Sequence, residues 1–201
     1  MSITIIIIGI TVIISILAFQ NREIFGKLKF NAYFIKHHKE WWRFVSYAVL
    51  HADWMHLLIN MYVLYSFGSI VEDTYFSLFA YKGLMYFMLL YIGGILFSTV
   101  FDFAKHKEDV YFNAVGASGA VSAILFSSIL IFPSGSIFLF PIPFPIPSWA
   151  FGILYIIYSA YMGKRGGDNI GHNAHLWGAI FGVVFTVVTI PGVITRFIEL
   201  L

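Results

Sequence analysis

The stretch VGASGAVSAILF, residues 115–126, opens an apolar run that continues to Phe132. Gly116, Ala117, Gly119, Ala120 and Ala123 are small, and the hydroxyl of Ser118 stands between Ala117 and Gly119. Small residues let helix backbones approach closely, which is how helices associate inside a bilayer. The stretch therefore predicts either a packing seam of a membrane helix or a nucleophile held within one. Both readings require a chain that lives in a membrane.

The composition agrees. Of 201 residues, 60% are hydrophobic and 11% are charged, against about 25% charged for a soluble domain. There is no cysteine, which excludes disulfides, thiolate metal sites and a cysteine nucleophile. The formal net charge is +2 and the charges fall in short clusters, so nothing resembles a nucleic-acid footprint.

Six apolar segments, at residues 3–19, 49–70, 78–103, 115–132, 148–163 and 174–194, approach the length of about 20 residues that crosses a bilayer. They predict an all-α fold: one domain over residues 1–201, a polytopic bundle of six transmembrane helices in a lipid bilayer. The first segment lacks the basic start and small-residue cleavage site of a signal peptide. The long connection from Asn21 to Ala48 is basic and aromatic, and is expected on the membrane surface with Trp41 and Trp42 at headgroup level. FPIPFPIPS, residues 140–148, is expected to be a compact loop because its prolines preclude regular helix. GKRGGDNIGHN, residues 163–173, is expected to be a mobile loop with His172 in solvent.

In a six-span bundle the even helices begin on one side of the membrane. His51, His56 and Asn60 lie at the start of the second, Ser118 at the start of the fourth and His175 at the start of the sixth. Polar groups from three helices thus share one shallow layer. Ionisable residues inside a span are costly and usually functional. His56 and Asn60, four apart, share a helix face. Together these groups form an acyl-transfer set. Ser118 is the nucleophile and His175 the general base. His56, Asn60 and the free Ser118 backbone N–H are the oxyanion donors. Gly178 and Gly182 on the sixth helix, and Gly119 and Ala123 on the fourth, form small-residue faces that bring His175 within about 3 Å of Ser118.

The chain resembles the rhomboid intramembrane serine proteases over residues 1–195. The nucleophile motif reads Gly116-Ala117-Ser118-Gly119, and the base motif Ala174-His175-Leu176-Trp177-Gly178. His51, His56 and Asn60 match the second-helix motif, Trp42-Arg43 a loop motif, and Glu72 an acidic position after the second helix. The resemblance implies Ser118–His175 peptide hydrolysis inside the membrane, with single-span or other transmembrane proteins as substrates and neither cofactor nor metal. It implies a loop before the sixth helix that caps the site, and a fifth helix that moves to admit substrate. It also implies a prokaryotic cell (inner) membrane, with the site facing the extracytoplasmic side. Ten of the twelve Lys and Arg (Arg22, Lys27, Lys29, Lys36, Lys39, Arg43, Lys105, Lys107, Lys164 and Arg165) lie on that same face, which the positive-inside rule would make cytoplasmic. In some family members an aromatic one turn after the serine packs on the base. Here that position is Ser122, so either another group orients the His175 ring or the ring is held more loosely.

Blander roles are assigned elsewhere. His51 braces the site, Trp42 and Arg43 anchor the long loop, and Glu72 and Asp73 pin a loop after a helix end. Gly178 and Gly182 pack in any account. Two other function classes fit the composition: a catalytically inactive rhomboid-like binder of membrane proteins, and a His-based metal or proton transporter. The transporter is weakened by the lack of a carboxylate deep in a span and of an internal repeat.

Overall fold

The computed structural model of the chain describes residues 2–138, 143–166 and 170–201. α1 spans Ile3–Gln20 and is followed by three short helices, α2 (Arg22–Leu28), α3 (Ala32–His38) and α4 (Arg43–Ser46), the last running into a 3-10 turn at Tyr47–Val49. Then come α5 (Trp54–Phe79), α6 (Tyr81–His106) and α7 (Ser118–Ile131). β1 (Ser136–Ile137) pairs antiparallel with β2 (Ile146–Pro147), and α8 (Ser148–Arg165), α9 (His172–Thr189) and α10 (Val193–Glu199) complete the chain.

The fold is helical as expected, but the spans differ. Among the described residues α1, α5 and α6 are long and apolar enough to cross a membrane. α9 and α10 qualify only as a pair, bent by 106° at the break between them. α7 is apolar but has 14 residues, about 21 Å of helix against a hydrocarbon core of about 30 Å. Length and composition thus support three spans, or four with the bent pair, where six were expected.

The second helix starts later than residue 49, because Asp53 caps it by accepting from the His56 N–H at 2.8 Å, and it runs past residue 70 to Phe79. His51 therefore precedes α5. Glu72 and Asp73 lie inside it instead of after its end. The sixth segment begins at His172 and breaks at Ile190. Part of FPIPFPIPS, residues 140–142, and residues 167–169 of the glycine-rich stretch lie outside the described residues. The rest of the glycine-rich stretch is partly helical: Gly163–Arg165 finish α8, and His172 and Asn173 open α9. His172 is buried, not solvated.

α7 is the centre of the bundle. Every residue from Gly119 to Ile131 is buried, as expected for a helix apolar on all sides. It packs on α5, α6 and α9, with lesser contacts to α8 and α10. Deep in the α7–α9 seam the fully buried hydroxyls of Ser127 and Thr186 lie 2.8 Å apart.

Two polar clusters fasten the periphery. Glu72, buried in α5, accepts from the Ile3 and Thr4 N–H groups at 2.7 and 2.9 Å and from the Ser2 and Thr4 hydroxyls at 2.8 and 2.7 Å. It caps the orphan donors at the start of α1, with its negative charge at the positive end of that helix. In the long loop the buried Arg43 donates to the carbonyls of Gly26 and Lys29 at 2.9 and 2.7 Å, pairs with Glu40, and covers the Phe34 ring. Trp42 donates to the Lys27 carbonyl at 3.3 Å. Both therefore anchor the loop, and Trp41 and Trp42 remain exposed. Asn31 ties the loop to the α6–α7 connection, donating to the Val110 carbonyl at 2.9 Å. Lys36 and His37 bond Glu108 of that connection and hold its carboxyl below the usual range.

Replacing Glu72 with Gln removes the charge and one acceptor while leaving four donors to satisfy. Glu72→Gln should cost about 2 kcal/mol of stability, read as a lowered melting temperature in detergent. An unchanged melting temperature would remove Glu72 as the anchor of α1.

Candidate active site

Ser118 is the first residue of α7. Gly116, two residues before it, has φ of +119°, a conformation that side chains with a Cβ rarely adopt. Its N–H donates to the Tyr47 carbonyl at 3.1 Å, while the Tyr47 hydroxyl donates to the Ile95 carbonyl at 2.7 Å. The turn into α7 is thereby fixed to the long loop and to α6. The first i to i−4 bond of α7 runs from the Val121 N–H to the Ala117 carbonyl. The N–H groups of Ser118, Gly119 and Ala120 thus have no partner within the helix, and their dipoles converge where Ser118 stands.

His56 reaches this point from α5. A Cβ on Gly116 would lie 2.9 Å from His56 Nε2 and 3.8 Å from Ser118 Oγ, so the imidazole and the hydroxyl flank one spot. The Ala52 N–H points at His56 Nδ1 over 3.4 Å. An Nδ1 that accepts leaves the proton of the neutral ring on Nε2, the nitrogen that borders Gly116. His51 stands edge-on to His56 with ring centres 4.9 Å apart. The fully buried His51 ring meets the Ser15 hydroxyl of α1 at 3.0 Å, and that hydroxyl donates to the Val49 carbonyl at 2.9 Å. His51 is therefore a brace behind His56. Asn60 is buried one turn further along α5 and donates one Nδ2 hydrogen to the His56 carbonyl at 2.8 Å. The other Nδ2 hydrogen is not used by that bond.

α9 brings His175 to the same end of the bundle. A Cβ on Gly178 would collide with the Gly119 carbonyl, and one on Gly182 with the Ala123 carbonyl. A Cβ on Gly119 would run into the Ser98 side chain of α6 and lie 3.3 Å from the Ala174 carbonyl. The neighbours of Ser118 and His175 are thus packed backbone to backbone. Among the described residues no hydrogen bond joins the Ser118 hydroxyl to the His175 ring.

The His175 ring meets two other rings, Tyr155 of α8 at 6.2 Å and His172 at 6.1 Å between centres. The Tyr155 hydroxyl lies 2.6 Å from Ser122 Oγ, which in turn bonds the Ser118 carbonyl at 2.8 Å. Tyr155 does not stand out in the sequence as a site residue, and His172 does so only as one of the histidines of a transporter reading. The only signals are the missing aromatic at Ser122 and the i, i+3 spacing of His172 and His175.

A model of the Rhomboid domain matches residues 38–192. The chain is 27% identical to the mitochondrial RHOMBOID-like protein 12 of Arabidopsis thaliana, covering 70% of this chain and 44% of the relative. It is 27% identical to the mitochondrial Rhomboid protein 1 of Saccharomyces cerevisiae, over 70% of this chain and 40% of the relative. With the chloroplastic Rhomboid-like protein 11 of Arabidopsis thaliana it shares 29% identity, over 72% of this chain and 51% of the relative. The chain spans about half or less of the length of these relatives. Their names place these relatives in organelles, which overturns the expectation of a prokaryotic cell membrane.

The backbone contact between α7 and α9 is open to a direct test. Gly178→Val should force the helices apart and destabilise the bundle by about 3 kcal/mol, measured as thermal unfolding in detergent. A variant as stable as the wild type would show that the seam has room for a side chain.

Proposed function

Because this chain belongs to the rhomboid family, we propose that it is an intramembrane serine endopeptidase with Ser118 as nucleophile and His175 as general base. The observation that carries the reading is the convergence at Gly116: the Ser118 hydroxyl and a donor nitrogen of His56 flank one point beside the N–H groups of a helix start that have no partner within α7.

His175 takes the Ser118 proton as Oγ attacks a peptide carbonyl carbon. The carbonyl oxygen becomes an oxyanion, which accepts from His56 Nε2–H, the remaining Nδ2–H of Asn60 and the Ser118 N–H. His175 then gives its proton to the departing amine. Water, deprotonated by the same ring, attacks the acyl-enzyme ester, and as the intermediate collapses His175 returns that proton to the departing Ser118 oxygen. The sequence of steps takes no metal and no cofactor. Gly116, Gly119 and Gly178 support it by close approach, and His51 supports it by bracing His56.

The substrates in this reading are single-span or other transmembrane proteins of the same bilayer, here an organellar membrane. Residues 1–201 act as one domain with six membrane-embedded helices, α1, α5, α6, α7, α8 and α9. The short α7 fits that arrangement because its N-terminal end need not reach the membrane surface when it lines a polar site.

Co-expression with a tagged single-span substrate tests the proposal. Cleavage should vanish in Ser118→Ala and His175→Ala. His56→Ala should lower it by about 10²-fold. Undiminished cleavage by Ser118→Ala would overturn the mechanism. Gly116→Ala places a Cβ 2.7 Å from His56 Cε1. It should slow cleavage by about 10²-fold with the bundle still folded. A wild-type rate would remove the Gly116 turn from the site.

A further inference from the structure

We propose that Tyr155 of α8 is the positioning residue that couples the two halves of the dyad, a role that rests on the reading of Ser118 and His175 given above. Ser122 has one hydroxyl proton, and it goes to the Ser118 carbonyl at 2.8 Å, an atom that can only accept. The 2.6 Å contact between Ser122 and Tyr155 is then donated by the tyrosine. A directed relay results, from the Tyr155 hydroxyl to Ser122 Oγ to the carbonyl of the nucleophile's own residue. The opposite side of the relationship is the ring. Tyr155 lies 6.2 Å from the His175 ring centre at a 31° tilt, within the range of aromatic contacts.

Phe126 and Phe151 hold the tyrosine itself, with ring centres 5.5 and 5.9 Å away. The relay needs a short side chain at position 122, because a long one would occupy the space of the tyrosine hydroxyl. Ser122 and Tyr155 are therefore one device split over two helices. It puts the ring that faces the base on α8, while nucleophile and base stand on α7 and α9.

The test is the rate at which a fluorophosphonate labels Ser118 in the full chain in detergent, followed across pH, with melting temperature as the control for folding. Tyr155→Phe and Ser122→Ala each break the relay and should slow labelling by about tenfold. The double variant should be no slower than either single, since both remove one connected unit. Tyr155→Leu removes the ring as well. It should slow labelling further and displace the pH midpoint, which Tyr155→Phe leaves in place. Additive losses in the double variant, or a wild-type rate and pH profile in Tyr155→Leu, would overturn the role of Tyr155 alone. A wild-type protein that labels no faster than Ser118→Ala would overturn the dyad itself, and this role with it.

Discussion

The bundle depends on one kind of contact, backbone against backbone between α7 and α9. Gly178 and Gly182 of α9 lie on the carbonyls of Gly119 and Ala123 of α7, with no space for a Cβ between them. Inside a bilayer, burying an apolar side chain against another gains little, because lipid tails are equally apolar. Close approach, dispersion and the hydrogen bonds it permits must hold the helices instead. Gly119 follows Ser118, and Gly178 lies three residues after His175. The same contact that stabilises the pair therefore sets the depth and spacing of the two candidate catalytic residues.

Around that axis, polar groups act over long stretches of chain. Glu72 binds the start of α1, Arg43 and Asn31 close the long loop, and Ser15 links α1 to His51. Each of these four side chains is itself buried, where hydrogen bonds are electrostatically strong and an unmade one is costly. The line from Ser15 through His51 to His56 extends this bracing to the site. It gives α1, which contributes no candidate catalytic group, a structural reason to be there.

The sequence makes some of this legible and hides the rest for physical reasons. α1 was placed within a residue of its observed end, because an uninterrupted isoleucine-rich run stops at the polar Gln20-Asn21. The start of α8 at Ser148 follows from the prolines before it. Gly116 lies beside His56 and Ser118, and Gly119 beside the Ala174 carbonyl, whereas the parity argument presumes six spans, of which length and composition support three or four among the described residues. Glu72 was misplaced since its partners are some seventy residues away at the chain's start, a pairing that no local pattern encodes. His172 is buried where the sequence suggests a solvated loop, because the glycines before it mask the first turn of α9. Tyr155 is one of several aromatics in an apolar helix, and only its distance from Ser122 distinguishes it.

The two halves of the site are held in different ways. His56 is fixed by its Asp53-capped first turn, by the Ala52 N–H, by the edge of His51 and by the space that Gly116 leaves open. His175 stands among rings. Under the proposed mechanism this difference suits the roles. An oxyanion donor contributes most when it is already aimed and need not reorganise as charge develops. A base that takes a proton from the hydroxyl and delivers it to the departing amine must serve two positions in turn. Ring contacts, broad and weakly directional, can orient an imidazole and still let it swing. Rigid hydrogen bonds on the α5–α7 side and ring packing on the α8–α9 side are thus complementary means to one reaction, joined where Tyr155 reaches from the ring side to the carbonyl side.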